Sequence, residues 1–167
     1  MRILKRTFVL ILLFTLPLSV FASSITDINK SISVSIPQNW KYEKPSGLSK
    51  LTLINPENGA NILVLSQKVD KATLKQCEAA WLESIETMDD FNMLSKRNTK
   101  LSGVNARELV FTTIDNTSES PITLKFVQIL IVKSKTLYAV QFVCAEPVYE
   151  DNISAFNGVR SSFKWLK

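Results

Sequence analysis

The residues best suited to chemistry in this 167-residue chain are its two cysteines, Cys77 and Cys144. Two thiols can form a disulfide, stay apart as buried side chains, or act as a redox pair. A redox pair is disfavoured because the chain has no Cys-x-x-Cys spacing. Two cysteines are also too few for a Cys-rich zinc site or an iron–sulfur cluster. The state of the two thiols therefore depends on the compartment and on the elements that hold them.

The chain has no histidine, which removes His-based catalytic triads, His metal ligands and His pH switches. A hydrolase built on this chain would have to use paired carboxylates. Three close pairs are present, namely Glu83 with Glu86, Asp89 with Asp90, and Glu150 with Asp151. All six fall on a polar helix face or at a helix end, where solvation accounts for them. The sequence therefore predicts no catalytic, cofactor-binding or metal-binding residue, and a protein that is not an enzyme.

The N-terminus has the three parts of a secretory signal peptide. Basic residues within 1–6 precede an apolar run, 7–20, and residues 20–22 form the cleavage pattern. The apolar run is shorter than the ~20 residues that a membrane-spanning helix needs. We therefore predict cleavage after Ala22, a mature chain from Ser23 without a transmembrane segment, and a periplasmic or secreted location in a bacterium.

Removing the signal peptide changes the charge of the chain. Three of the 20 Lys and Arg residues lie within 1–22 and none of the 15 Asp and Glu residues, so the mature chain has 17 basic residues and a net charge of +2. Such a balance predicts no nucleic-acid partner. Export to an oxidising compartment favours a disulfide between Cys77 and Cys144, with two separate buried thiols as the alternative.

The hydrophobic pattern predicts a flexible N-terminus over 23–30 and a single α+β domain over 31–167. Period-two alternation and β-branched runs predict strands near 31–36, 51–54, 62–65, 93–101, 106–114, 122–132 and 137–145. The first helix is expected to begin at Asp70 as its N-cap and to bury Leu74, Cys77, Trp81, Ile85 and Met88. A second helix is expected from Pro147. Short turns between successive strands predict a mainly antiparallel sheet of about six to seven strands flanked by two helices.

The position of the first helix decides whether the two thiols can meet. Cys144 shares a strand face with Tyr138, Val140 and Phe142. If the first helix packs on that face, Cys77 reaches Cys144. The disulfide would then close a loop of 67 residues, which stabilises the fold by roughly 4 kcal/mol in the chain-entropy account.

Two loops are predicted to contact a partner. The first follows Trp40 and carries Tyr42 and Pro45, and the second is a polar connection that carries Asn116 and Ser118. Loops held on a rigid scaffold carry binding residues more often than the elements they connect.

The opening of the domain, Ile32-Ser33-Val34-Ser35-Ile36-Pro37-Gln38-Asn39-Trp40, resembles the phenylalanine-x-phenylalanine-x-isoleucine-proline-x-glycine-tryptophan opening of PsbP-like and DcrB-like proteins. Ile and Val replace the usual Phe, and Asn39 replaces Gly. The order of the later elements is also similar. The resemblance implies an antiparallel sheet flanked by helices. These proteins include periplasmic proteins, accessory subunits of photosystem II and a nuclear-import factor that binds a small GTPase, so it also implies a non-enzymatic binding or accessory role with a protein or cell-envelope partner.

Two other functions stay open at this point. A His-free hydrolase needs two acidic side chains from different elements about 5–10 Å apart in a cleft. A carrier of a small apolar ligand needs a cavity of roughly a few hundred Å³ between sheet and helix.

Overall fold

The computed structural model describes residues 21–27, 30–117 and 120–166. Most of the predicted signal peptide, residues 1–20, therefore lies outside the described residues. The described chain forms ten strands and two α-helices. In order they are β1 (Phe21–Thr26), β2 (Ile32–Pro37), β3 (Lys41–Glu43), β4 (Ser49–Ile54), β5 (Asn61–Lys68), α1 (Leu74–Ile85), β6 (Asn92–Leu101), β7 (Val104–Asp115), β8 (Ile122–Lys133), β9 (Thr136–Ala145), α2 (Tyr149–Ser162) and β10 (Lys164–Trp165).

The strands form two antiparallel sheets. The larger one has seven strands in the order β3-β4-β5-β9-β8-β7-β6, and the smaller one has three in the order β1-β2-β10. The long strands β7, β8 and β9 pair over almost their whole length, which fits their content of β-branched and aromatic residues. The predicted α+β class, with a mainly antiparallel sheet and two helices, is confirmed.

The turn between β2 and β3 explains one departure from the family opening. Asn39 has a φ of 67°, in the left-handed region where glycine is favoured and asparagine is tolerated. The turn directs Trp40 into the main core, where this residue is only 8% exposed. Asn39 therefore adopts a backbone conformation that is typical of glycine.

The large sheet is buried on both faces, in two separate clusters. On the first, called here the α2 face, the small sheet and α2 cover Ile129, Val140 and Phe142, and the ring of Phe156 stacks on Phe142 with centroids 5.5 Å apart. On the second, the α1 face, Cys77 of α1 belongs to a smaller cluster with Leu109, Phe111, Phe126, Leu130 and Ala139. The fold thus has three layers, with the seven-stranded sheet in the middle.

The start of α1 differs from the prediction. Thr73, not Asp70, is the N-cap: its hydroxyl accepts from the Gln76 backbone N–H, and the Gln76 side chain accepts from the Thr73 backbone N–H. This reciprocal capping box satisfies two backbone donors at once, whereas Asp70 lies before the first turn. The helix ends at Ile85, so Met88 lies beyond it and its side chain is 44% exposed.

Two other boundaries also differ. The segment 23–30, predicted to be a flexible terminus, includes most of β1, which pairs with β2 from Ser23 to Thr26. The next residue, Asp27, is buried and accepts hydrogen bonds from Ser31 and from the Ile32 backbone N–H. The second helix begins at Tyr149 after a single 3-10 turn, Glu146–Val148, that holds Pro147.

The predicted disulfide is not present in the structure, where Cys77 and Cys144 are both free and buried. The prediction required α1 to pack on the strand face that holds Cys144. Instead α1 packs on the opposite face, and Cys144 lies in the α2-face cluster with Val140 and Phe142. The sheet therefore separates the two thiols.

We expect Cys77 and Cys144 to react very slowly with alkylating reagents in the folded protein. When the protein is unfolded, both should be thiols that are not joined in a disulfide. Burial raises the pKa of Cys77, and burial raises the pKa of Cys144 to about 11 against the opposing effect of the Lys125 ammonium. Because the thiolate is the reactive form, iodoacetamide should react slowly with the folded protein near neutral pH. Intact mass after unfolding without reductant should show both thiols alkylated. Alkylation that requires prior reduction would contradict this arrangement.

Candidate functional site

Helix α1 covers its face of the sheet unevenly and leaves a groove along one side. The helix lies over β7 and β8. Between its other side and strands β5 and β9 is an open groove of about 360 Å³. We call it the α1 groove. Its lining is mainly apolar, from Val69, Ala72, Cys77, Ala80, Trp81 and Leu137, with the polar side chains of Gln67, Gln76 and Ser84 beside them. A smaller apolar recess continues past Trp81 to Leu48 and Leu65.

Small side chains on the helix create this space. Ala72 precedes the helix, and Ala80 lies on its exposed flank. Neither reaches the sheet, so Leu137 of β9 and Val69 form a floor that is only partly covered. The half-buried Trp81 then forms one wall. The groove is therefore built from α1, from β9 and from the connection between β5 and α1 that carries Val69 and Ala72.

The wall formed by Trp81 is fixed by a chain of two hydrogen bonds that runs through the buried Gln128. The Trp81 indole Nε1–H donates to Gln128 Oε1 at 2.6 Å, and Gln128 Nε2 donates to Gln141 Oε1 at 2.9 Å. Gln128 is 1% exposed, so its amide would be costly to leave unpaired. The chain ties α1 to β8 and β9 and holds the indole in one position.

An ion pair holds the opposite flank of α1. Glu78 accepts a hydrogen bond from Arg107 Nε of β7 at 2.8 Å, and Lys96 Nζ of β6 lies 3.6 Å from the same carboxylate. Glu78 lies off the apolar stripe of the helix, yet this residue is only 5% exposed. Its partners Arg107 and Lys96 lie on strands that are distant from the helix in sequence. Pairing with these cations makes the burial of the Glu78 carboxylate possible.

A second buried carboxylate lies on the α2 face in a polar pocket of about 240 Å³. Glu108 Oε1 accepts from Arg97 Nε at 2.6 Å, and Glu108 Oε2 accepts from Arg160 Nη1 of α2 at 2.6 Å. Both carboxylate oxygens are occupied, so this cluster locks α2 to the sheet. Sequence reasoning missed Glu108, although its position between Ala106 and Val110 on the inward side of β7 was a usable signal.

The residues predicted to contact a partner do not form one site. Tyr42 is exposed on β3 and Pro45 is half-buried in the loop after it. Asn116 lies in the connection between β7 and β8, where its amide donates to Asp89 Oδ2 at 2.9 Å. Strands β4, β5 and β9 separate β3 from β8, which corresponds to about 20 Å. Ser118 lies outside the described residues.

The carboxylate pairs considered for hydrolysis are all at the surface. Six side chains are exposed, and none of them lines the α1 groove or the polar pocket that holds Glu108: Glu83, Glu86, Asp89, Asp90, Glu150 and Asp151. Among the described residues, no group of three or more His, Cys, Asp or Glu side chains is placed to hold a metal ion. Nor does that part of the chain contain a helix long and apolar enough to cross a membrane.

Comparison with known proteins agrees with the fold. The family model for PsbP-like proteins matches residues 23–165. The chain belongs to the PsbP-like family. No functionally curated protein matches the sequence.

Solved structures of this fold share little sequence with the chain. LpqN of Mycobacterium tuberculosis, described as involved in cell envelope biogenesis, aligns with a TM-score of 0.62 at 12% identity over 87% of this chain and 90% of its own. The Saccharomyces cerevisiae Ran-binding protein Mog1p aligns with a TM-score of 0.60 at 12% identity, covering 87% and 95%. Cyanobacterial PsbP (CyanoP) from Synechocystis aligns with a TM-score of 0.58 at 12% identity, covering 86% and 91%. These likenesses establish the PsbP-like fold and no more.

Replacing Gln128 tests whether the buried amide holds α1. Gln128→Leu leaves the Trp81 indole N–H and the Gln141 amide without their partner, so the free energy of unfolding should fall by about 1–3 kcal/mol. Urea unfolding measures this change. The control, Gln38→Leu, alters an exposed glutamine in the turn after β2 and should stay within about 0.5 kcal/mol of the parent. Equal stability of the Gln128 variant and the parent would contradict the role of the chain of hydrogen bonds.

Proposed function

We propose that this protein is an exported accessory protein that binds a cell-envelope component through the α1 groove and performs no chemistry itself. The observation that carries the proposal is the open, mainly apolar groove of about 360 Å³ with one wall fixed by hydrogen bonds to the buried Gln128. That volume lies within the roughly 300–1,000 Å³ of typical ligand pockets. A preformed groove of this kind loses little conformational freedom when it is filled.

The chemistry of the lining supports an apolar occupant. The groove offers the indole of Trp81, the side chains of Val69 and Leu137 and the small Ala80. No carboxylate lines the groove, and Glu78, which follows Cys77, is turned away into its pair with Arg107. Apolar side chains of a protein partner would bury against this lining with a favourable hydrophobic contribution.

Export is supported by the boundary of the family match. The match begins at residue 23, the residue predicted to follow the cleaved signal peptide. Cleavage after Ala22 would keep the pairing of Ser23–Thr26 with β2 and would remove the pair of Phe21 with Pro37. The proposed mature chain therefore retains nearly the whole small sheet.

The names of two structural neighbours are consistent with a binding role. Mog1p is described as a Ran-binding protein, and LpqN as involved in cell envelope biogenesis. Both are remote in sequence, so neither partner is carried over to this chain.

The matched alanines of α1 allow a direct test in the producing cells. Ala79 and Ala80 are both exposed, but only Ala80 lines the groove. A photoreactive amino acid at position 80 should give a discrete adduct of protein mass on irradiation, and the same residue at position 79 should not. Equal labelling at both positions, or no adduct at position 80, would contradict binding through the groove.

A carrier of a small apolar ligand is the second candidate, because the groove lies between helix and sheet where that hypothesis placed its cavity. It predicts an adduct of a few hundred daltons at position 80 instead of one of protein mass. The native mass of the exported protein would then exceed the mass of residues 23–167 by the same amount.

A further inference from the structure

The net charge of the chain is low, but its charged residues are unevenly distributed over the large sheet. One end of the large sheet holds the turns between β6 and β7 and between β8 and β9, and its lysines are Lys50, Lys68, Lys100, Lys133 and Lys135. The opposite end holds the connections between β4 and β5 and between β7 and β8, with Glu57, Asp89, Asp115 and Glu146. Anionic ligands are therefore attracted to the lysine end.

A polar pocket of about 210 Å³ opens at this lysine end. Strand register builds it, since Ser66 and Lys68 of β5 lie directly opposite Tyr138 and Thr136 of β9. Two further elements close the pocket: Lys50 from the irregular start of β4 and Ser31 from the segment between β1 and β2. The six lining side chains thus come from four parts of the fold.

Most of the donors in this pocket have no partner. Among the described residues, the ammonium groups of Lys50 and Lys68 and the hydroxyl groups of Ser66 and Tyr138 make no hydrogen bond or ion pair. No carboxylate lines the pocket. The acid behind it is Asp27, which is buried and already accepts from the Ser31 hydroxyl at 2.8 Å and the Ile32 N–H at 2.9 Å.

The contrast with the pocket around Glu108 is informative. In that pocket, Arg97 and Arg160 both pair with the carboxylate of Glu108. Here, two lysines and two hydroxyl groups point to a shared space without a built-in anion. Lysine binds phosphate as a point charge. Donors that arrive from different strands can each reach a separate oxygen of a tetrahedral phosphoryl group, whereas a planar carboxylate offers only two oxygens.

We propose that the pocket formed by Ser31, Lys50, Ser66, Lys68, Thr136 and Tyr138 binds a phosphoryl group. The site is separate from the α1 groove, because none of its six residues lines that groove and Tyr138 belongs to the cluster on the α2 face. Failure of one site therefore leaves the other untouched.

A titration of the purified protein with inorganic phosphate, followed by backbone amide NMR at constant ionic strength, tests the proposal. Saturable shifts should appear at Ser31, Ser66 and Thr136, and acetate should not produce them. The double variant Lys50→Gln, Lys68→Gln should weaken phosphate binding about tenfold or more, because each lost contact is a hydrogen bond to a charged group.

The matched control is the double variant Lys71→Gln, Lys100→Gln, which removes the same charge near the same end without altering the pocket. It should change phosphate affinity by less than about twofold at physiological ionic strength, where separated charges are screened. Equal loss in the two double variants would overturn a specific site, and so would shifts that do not saturate.

A second arm identifies the source of the phosphoryl group. Vesicles of phosphatidylcholine containing phosphatidic acid, compared with phosphatidylcholine alone, should retain the protein if the group belongs to a lipid. Retention that is lost in the Lys50→Gln, Lys68→Gln variant assigns a lipid headgroup. Saturable binding of inorganic phosphate without retention by the vesicles assigns a soluble phosphate ligand. Absence of both overturns the proposal.

Discussion

Two neighbouring residues of β7 fasten the two helices to opposite faces of the sheet. Successive side chains of a strand point to opposite sides, so Arg107 projects toward α1 and Glu108 toward α2. Arg107 pairs with Glu78 of α1 at 2.8 Å, and Glu108 pairs with Arg160 of α2 at 2.6 Å. The three-layer arrangement depends on this alternation, because a shift of one residue in the register of β7 would exchange both partners.

The same anchoring explains why a groove exists. Glu78 draws α1 toward β6 and β7, while the buried Gln128 holds Trp81 over the middle of the sheet. A helix of twelve residues fixed at these two points cannot also cover β5. On the α2 face, α2 and the small sheet together cover Val140 and Phe142 completely, and the two pockets described there, around Glu108 and at the lysine end, are polar. The position of the candidate site is thus a consequence of ion pairing elsewhere on the helix.

Local patterns in the sequence predicted much of the fold. Alternation and β-branched runs predicted the long strands and the pair β4 and β5 on either side of the turn at Gly59, whose φ is 73°. The apolar stripe of the first helix was correct up to Ile85. Periodicity says which side of an element is buried, but not which face of a sheet a helix will cover. That missing information explains why the predicted disulfide was wrong, because a bond between Cys77 and Cys144 needs α1 on the sheet face that holds Cys144.

The candidate sites were harder to predict from the sequence, for a related reason. Glu78 and Glu108 are charged residues in buried positions, and burial becomes tolerable through arginines 29 and 52 residues away. The pocket at the lysine end joins four separate parts of the chain through strand register. In contrast, Trp81 and its neighbours were recognised as part of the helix stripe, and what sequence reasoning missed was that small residues beside them leave the stripe partly uncovered.

The most direct test of the account is whether the α1 groove takes up an apolar probe. Xenon enters apolar cavities without needing any polar contact. Methyl NMR of the purified protein under xenon pressure should show shifts at Val69, Ala80 and Leu137, which line the groove, and none at Ile129 or Val140 in the opposite cluster. Shifts in the opposite cluster, or no shifts at the groove, would contradict the claim that the groove is the open apolar binding surface of this protein.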